Sequence, residues 1–200
     1  IVTFLVVLMV VCCAIGLAAC GENAKTPPSG TEQGEEGESG PYTYQLNIDG
    51  TSYTLVSCDI ETSGEITIPA TYNNKPVTAI GEGAFRLCSS ITSVIIPDSI
   101  TNIRENAFSD CDSLISTTIP NSVTNIGENA FRGCDTLAFI TIPDSVTCID
   151  SMVFSGCQLL TIYCEAASKP STWSSYWNID NYPVIWDCNN NNAATDGYIY

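Results

Sequence analysis

Few side chains in this sequence are suited to catalysis, because its 200 residues include no histidine. That absence removes the serine–histidine and cysteine–histidine dyads of nucleophilic catalysis and the commonest protein ligand for metal ions. No G-x-S-x-G, H-E-x-x-H or phosphate-binding glycine motif occurs. Asp110 and Asp112 are candidates for a glycosidase carboxylate pair, but they flank a cysteine in a turn, and we interpret them as solvated turn residues. We therefore expect no catalytic residue, no metal and no cofactor, and a protein that is not an enzyme.

Eleven cysteines form the other reactive set. None belongs to a C-x-x-C pair, which argues against a zinc site. Four of them recur every 23 residues, and stacked side chains that point the same way have poor geometry for a disulfide. We predict that these four are reduced, buried apolar residues; they are Cys88, Cys111, Cys134 and Cys157. The spacing leaves open whether Cys164 and Cys188 pair in a disulfide.

The stretch before Cys20 resembles the signal peptide of a bacterial lipoprotein. Residues 1–19 carry no charge and are almost wholly apolar, and small residues precede the cysteine in Leu17-Ala18-Ala19-Cys20. The resemblance implies that Cys20 is lipidated and anchors the chain on the extracellular face of the bacterial cell membrane. The alternative is a plain transmembrane helix, since 19 apolar residues nearly span a bilayer. A polar segment directly after the cysteine favours the lipoprotein, and the lack of a first methionine and of basic residues indicates that the signal peptide is N-terminally incomplete.

The segment after the anchor and the overall charge both predict an extracellular chain. Residues 20–40 form a predicted disordered acidic linker, because a segment rich in Gly, Glu, Ser and Pro buries too little apolar area to offset chain entropy. The net charge of −16 argues against nucleic acid and against electrostatic docking on anionic lipid. The charge indicates either solubility outside the cell or a basic partner.

Residues 66–160 repeat one pattern about four times at an interval of 23 residues. Apolar positions locked in phase predict a solenoid, in which each unit buries its apolar face on its neighbours. In the unit 114–134, alternation around Thr117 predicts a strand of a parallel sheet, Pro120 ends it, and residues 128–133 are expected to form about one helical turn. The predicted repeat core comprises Phe85, Phe108, Phe131 and Phe154, with Ile80, Ile103, Ile126 and Ile149.

The repeat L-x-x-L-x-I-P-x-S-V-T-x-I-G-x-x-A-F-x-x-C resembles the BspA-like class of bacterial leucine-rich repeats. About nine positions recur in register over several copies, so the resemblance is specific. It implies a leucine-rich-repeat solenoid with a parallel β-sheet on one face and short helical or extended turns on the other. It also implies a cell-surface protein that binds another protein or mediates adhesion, and it implies no reaction.

Both ends of the repeat array carry predicted caps. Residues 41–65 alternate on either side of a turn at Asp49-Gly50, which predicts a β-hairpin that covers the N-terminal end. An insertion at residues 70–76 is expected to bulge as a loop. Residues 161–188 are rich in tryptophan and tyrosine and resemble the family's C-terminal cap, and a glycan-stacking platform is the alternative. Residues 189–200 are interpreted as a linker and the start of a further segment.

The outward side of the strands is the predicted binding surface. Ser116, Thr118 and Thr141 supply small hydroxyls, and Phe139 and Ile95 are apolar exceptions among them. We expect an extracellular protein partner, for which a host is one source, with a glycan as the alternative. A second function class is a repeat spacer or carbohydrate-binding accessory region for a catalytic domain beyond residue 200. The remaining outward columns are expected to form a simple solvated ladder, and they comprise Thr78, Thr101, Thr124 and Thr147 with Asn102 and Asn125.

Overall fold

The structure, a computed structural model, describes residues 36–189. The predicted signal peptide, Cys20, the linker up to residue 35 and the segment from residue 190 onward lie outside these residues. The described part of the chain contains 14 strands and no helix. The strands are β1 (Glu36–Ser39), β2 (Tyr42–Leu46), β3 (Tyr53–Cys58), β4 (Gly64–Thr67), β5 (Thr71–Tyr72), β6 (Lys75–Ile80), β7 (Ile91–Ile95), β8 (Asn102–Ile103), β9 (Ser116–Thr118), β10 (Asn125–Ile126), β11 (Phe139–Ile142), β12 (Cys148–Ile149), β13 (Thr161–Cys164) and β14 (Val184–Ile185).

The chain coils into a solenoid with two sheets. The first sheet has the order β1-β2-β3-β6-β8-β10-β12, and its strands from β3 onward are parallel. The second has the order β4-β7-β9-β11-β13-β14 and is parallel throughout. Each coil gives one strand to each sheet because the proline after the longer strand ends that strand and turns the chain. The predicted leucine-rich-repeat solenoid is confirmed, and the second extended piece of each repeat adds a sheet of its own.

The turn side of each coil is not helical, contrary to the expected helical turn at residues 128–133. Asn129 and Gly133 have φ values of 55° and 68°, in the left-handed region that a right-handed helix excludes. Alternate N–H groups bond across to the next coil, as Phe131 does to the carbonyl of Val153 at 2.9 Å. The N–H groups between them bond three residues back within their own coil. Half of the backbone N–H donors that a helix would use for its own hydrogen bonds are therefore used for hydrogen bonds between coils.

A column of stacked rings runs through the interior. Phe85, Phe108, Phe131 and Phe154 are fully buried, and successive ring centroids lie 4.9, 5.2 and 5.9 Å apart. The four repeat isoleucines are also buried, at 0–1% exposure. Burying a ring of this size stabilises the fold by roughly 1.5–3 kcal/mol. The 23-residue step is thus the spacing that keeps like side chains in contact from coil to coil.

The N-terminal end is closed by a hairpin and by two elements that differ from expectation. The strands β2 and β3 pair antiparallel, as predicted, and Tyr42 sets its ring edge against Phe85 at 6.2 Å. Residues 36–39 belong to the sheet as β1 and not to a disordered linker, because β2 would otherwise leave an edge of unpaired backbone groups. The expected loop at residues 70–76 is instead a second hairpin, β5–β6, with Asn73 and Asn74 at positive φ in its turn.

The repeat cysteines lie inside the stack as free thiols. Cys88, Cys111, Cys134 and Cys157 are all buried. Cys111 donates from its sulfur to the Phe85 carbonyl at 3.1 Å, and the next two cysteines repeat this contact one coil further on. Burial raises the pKa of Cys111 to about 12. These side chains therefore act as small buried residues that also satisfy a carbonyl of the coil before them.

The two cysteines whose pairing the spacing left open also carry free thiols. Cys164 is buried and Cys188 is half-buried. They are joined through the backbone, where the N–H of Cys188 donates to the carbonyl of Cys164 at 3.1 Å. The cap is thus held to the last full coil by a hydrogen bond between main chains.

Candidate functional site: the open face of the second sheet

The outward side chains of the second sheet form two straight columns, which we call the open face. Its first column contains Glu65, Ser93, Ser116, Phe139 and Thr161. Its second contains Thr67, Ile95, Thr118, Thr141, Tyr163 and Ile185. Strand alternation places them outward, because the residues between them are buried. Parallel pairing sets neighbouring members of a column about 4.8 Å apart.

All five residues predicted to bind lie on this face, and the structure adds others. Sequence reasoning missed Tyr163 and Ile185 because the step from Thr141 to Tyr163 is 22 residues. The sequence did contain a signal for Tyr163. Ile162 and Cys164 fit the inward rows only if this repeat is one residue shorter, and Tyr163, which lies between them, must then point outward. Glu65 was missed because the inserted hairpin lengthens the repeat that follows this residue. Glu65 pairs with Ser93, which lies 28 residues later instead of 23.

The hydroxyls of the open face are free. Among residues 36–189, the side-chain hydroxyls of Ser93, Ser116, Thr118 and Thr141 have no hydrogen-bond partner. These positions lie within strands, where the backbone groups are already paired in the sheet plane and side chains stand perpendicular to it. Each hydroxyl is therefore available to donate to and accept from a molecule laid across the strands.

Two apolar side chains stand out from this hydroxylated surface. Ile95 is 48% exposed and Phe139 is 51% exposed. Partly exposed aromatic and aliphatic groups surrounded by polar ones are typical anchors of protein interfaces.

An open groove of about 780 Å³ lies along the second column of the open face. Thr118 and Thr141 line it, together with the turns that follow their strands. Its charged lining residues are Asp98 and Glu165, and among the described residues that line it none is basic. The Glu165 carboxylate is held in place, because it accepts a hydrogen bond from the N–H of Asp144 at 3.1 Å. The groove therefore has threonine hydroxyls and the apolar Ile95 on its floor and is negative along its wall.

The aromatic C-terminal segment closes the solenoid. Trp173 and Trp177 are buried, and Trp177 meets Phe154 edge-on at 6.2 Å. The indole N–H of Trp173 donates to the Val146 carbonyl at 3.0 Å. Asp180 accepts a hydrogen bond from the N–H of Gly156 at 2.8 Å, which lowers the pKa of the Asp180 carboxyl and replaces a bond that the next coil would supply. The segment is the predicted cap, because Trp173 and Trp177 are buried against the last coil, while Tyr176 remains 62% exposed.

Two further features of the described residues bear on function. No group of three or more cysteine or acidic side chains in residues 36–189 is arranged to bind a metal ion. Nor does that part of the chain contain a helix with the length and apolarity needed to cross a bilayer.

Comparison with known proteins places this solenoid in a family. A crystal structure of a leucine-rich repeat protein from Bacteroides capillosus shares 32% identity and a TM-score of 0.52, covering 76% of this chain and 97% of that one. The Leucine Rich Repeat protein of T. pallidum shares 24% identity with a TM-score of 0.61, covering 76% of this chain and 64% of that one, so this chain spans less than two thirds of its length. No curated protein sequence is a significant match. The family model for the BspA type Leucine rich repeat region matches residues 52–178 in six copies, so the chain belongs to the BspA-type leucine-rich-repeat family.

Proposed function

We propose that the chain is a protein-binding module of a bacterial cell surface that engages its partner through the open face. The observation that carries this proposal is the set of unpaired hydroxyls around Ile95 and Phe139. A hydroxyl with no intramolecular partner can exchange its hydrogen bond to water for one to a ligand without breaking a bond of the fold, and the two apolar side chains gain by burial. The rest of the solenoid is committed to stacking.

The size of the face sets the expected affinity. A face six strands wide, with neighbours about 4.8 Å apart, is narrower than most stable protein interfaces require. A single copy should therefore bind weakly, on the order of micromolar, and many copies on one surface should bind more tightly through avidity.

The test is a screen of the purified full chain, kept in a neutral detergent, against immobilised extracellular proteins and glycans. Hits are measured again with Ile95→Ala and Phe139→Ala. The matched controls are Ile60→Ala and Tyr176→Ala, which remove similarly exposed apolar side chains from positions off the open face. We expect at least a tenfold loss for the open-face pair and less than a twofold loss for the controls, with unchanged melting curves. Equal losses in both pairs would show that another surface binds.

We further propose that a lipid on Cys20 holds the module on the extracellular side of the membrane. The support is the apolar run that ends in small residues at Cys20, followed by a polar acidic segment. The gene is expressed with a complete signal sequence, and detergent and aqueous phases are separated. The parent protein should enter the detergent phase with a modified N-terminal cysteine. If the Cys20→Ala protein still partitions like the parent, and the N-terminus of the parent is unmodified, the anchor is ruled out.

A further inference from the structure

The groove has a charge pattern that restricts which protein segment fits it. Asp98 follows β7, and the Glu165 carboxylate bonds the N–H of Asp144 two coils further along. At about 4.8 Å for each coil, the two carboxylates lie roughly 10 Å apart along the solenoid. Asn121, on the coil between them, presents an amide to the same groove. The wall thus carries an acid, an amide and an acid, the last of which reaches back from the coil of β13.

None of the basic residues in the described part of the chain lines this groove. Lys75 sits over the ring of Tyr53 in the N-terminal cap, and Lys169 donates to the Trp173 carbonyl in the C-terminal cap. Arg86 lies on the turn side, 3.9 Å from Asp110. Since no lining residue neutralises Asp98 or Glu165, the groove attracts positive charge from outside.

We propose that the groove receives an extended segment of a partner protein that presents two lysine or arginine side chains on alternate residues. This inference rests on the proposed function and names the chemistry of its partner. Side chains at positions i and i+2 of an extended segment lie on one side, about 7 Å apart, and their flexible stems span the remaining distance to the two carboxylates. The stems pass over Pro120 while the charged heads reach Asp98 and Glu165.

The floor of the groove supports the backbone of such a segment. The free hydroxyls of Thr118 and Thr141 face the space that it would occupy, and hydroxyls both donate and accept. A segment laid across the strands therefore meets hydrogen-bonding groups at the coil spacing. Residues between the two basic ones point away from the wall and are not selected by it.

The experiment measures fluorescence anisotropy of labelled Gly/Ser peptides with the full chain in neutral detergent. One peptide contains Lys-Ser-Lys, a second of the same composition contains Lys-Lys-Ser, and a third contains Glu-Ser-Glu. We expect Lys-Ser-Lys to bind most tightly, Lys-Lys-Ser more weakly and Glu-Ser-Glu not at all. Adjacent lysines point to opposite sides of an extended chain, so only one reaches the wall.

The decisive variants remove the same charge from two places. Asp98→Asn with Glu165→Gln should weaken Lys-Ser-Lys binding about threefold to tenfold, as expected for two exposed ion pairs. Glu82→Gln with Glu128→Gln removes two charges from the turn side and should change binding less than twofold. Equal weakening by both double variants, equal affinity for the two lysine peptides, or no binding up to millimolar peptide would overturn the inference. A protein partner that depends on Phe139 and Ile95 but not on Asp98 and Glu165 would overturn it while leaving the proposed function intact.

Discussion

The threonine column on the first sheet and the open face both present side-chain hydroxyls, but those of the column are hydrogen-bonded within the described part of the chain and those of the open face are not. Thr101, Thr124 and Thr147 each donate from Oγ1 to the carbonyl of the threonine one coil earlier, at 3.1, 3.3 and 3.4 Å. Each such carbonyl also accepts the N–H of the same neighbour, at 2.9 Å. Thr172 of the C-terminal cap ends the column by donating to the Thr147 carbonyl. The column is therefore a hydrogen-bonded ladder, not the simple solvated one expected from the sequence.

The difference teaches which outward face is structural. A hydroxyl that is hydrogen-bonded to the neighbouring coil stabilises the stack and has little hydrogen-bonding capacity left for a partner. A hydroxyl that stands free above a strand contributes little to stability and keeps both of its hydrogen-bonding functions. The sharpest tests of this division alter the shared interior first and then each face.

The largest effect is expected at the interior that supports both faces. Phe131→Ala should lower the free energy of unfolding by about 3–5 kcal/mol, because it opens a cavity between Phe108 and Phe154. Each coil supports two neighbours, so both faces should lose order together. Urea unfolding followed by circular dichroism measures the change, and Thr124→Ala, which removes one hydrogen bond of the outward threonine ladder, is the comparison with a smaller expected loss. Equal shifts for the two variants would mean that the inward rows are misassigned.

Alkaline pH should weaken the same interior without any mutation. Burial raises the pKa of Tyr42, Tyr44, Cys111 and Cys164 to about 12 each, from ordinary values of 10.0 for tyrosine and 9.0 for cysteine. The folded chain therefore holds protons that the unfolded chain releases, and stability falls as pH rises from about 9 towards 12. Urea midpoints at pH 8, 9.5 and 11 should decrease in that order. A constant midpoint across this range would show that these groups ionise freely in the folded state.

The threonine ladder comes next in size. Thr101→Val and Thr124→Val keep the side-chain shape and remove the hydroxyl, so each should cost about 0.5–1.5 kcal/mol of stability. Binding to an open-face partner should not change, because neither side chain lies on the second sheet. Thermal melting and the binding assay are run on the same preparations. Loss of binding with unchanged melting would reverse the assignment of the two faces.

The smallest stability effect is expected on the open face. Thr118→Val and Thr141→Val make the same chemical change where no intramolecular hydrogen bond is lost, and each should shift stability by less than about 0.5 kcal/mol. Their effect should appear in binding instead, as a severalfold loss for a ligand laid across the strands. A stability loss equal to that of the first-sheet variants would show that these hydroxyls are bonded within the fold.

Much of this architecture follows from sequence because the repeat is strict. A 23-residue step in Phe, Ile and Cys is sufficient to place the interior rows, since only inward positions need to conserve shape from coil to coil. Prolines at a fixed offset mark the ends of the longer strands. The departures arise where the step changes or where local propensity competes with stacking. They are the hairpin at residues 71–80, the strand at residues 36–39, the outward Tyr163, and turns whose donors bond across coils instead of along a helix.

The sequence by itself determined the period, the inward rows, the burial of the repeat cysteines and the outward position of Ile95 and Phe139. Tertiary structure alone decided which outward hydroxyls are used, because a hydroxyl's partner depends on the distance to a carbonyl in the next coil. It also brought Asp98 and Glu165, 67 positions apart in the sequence, to one groove. Alternation within a strand is a local property that sequence encodes, whereas contact between coils is set by register and twist, which only the folded stack fixes.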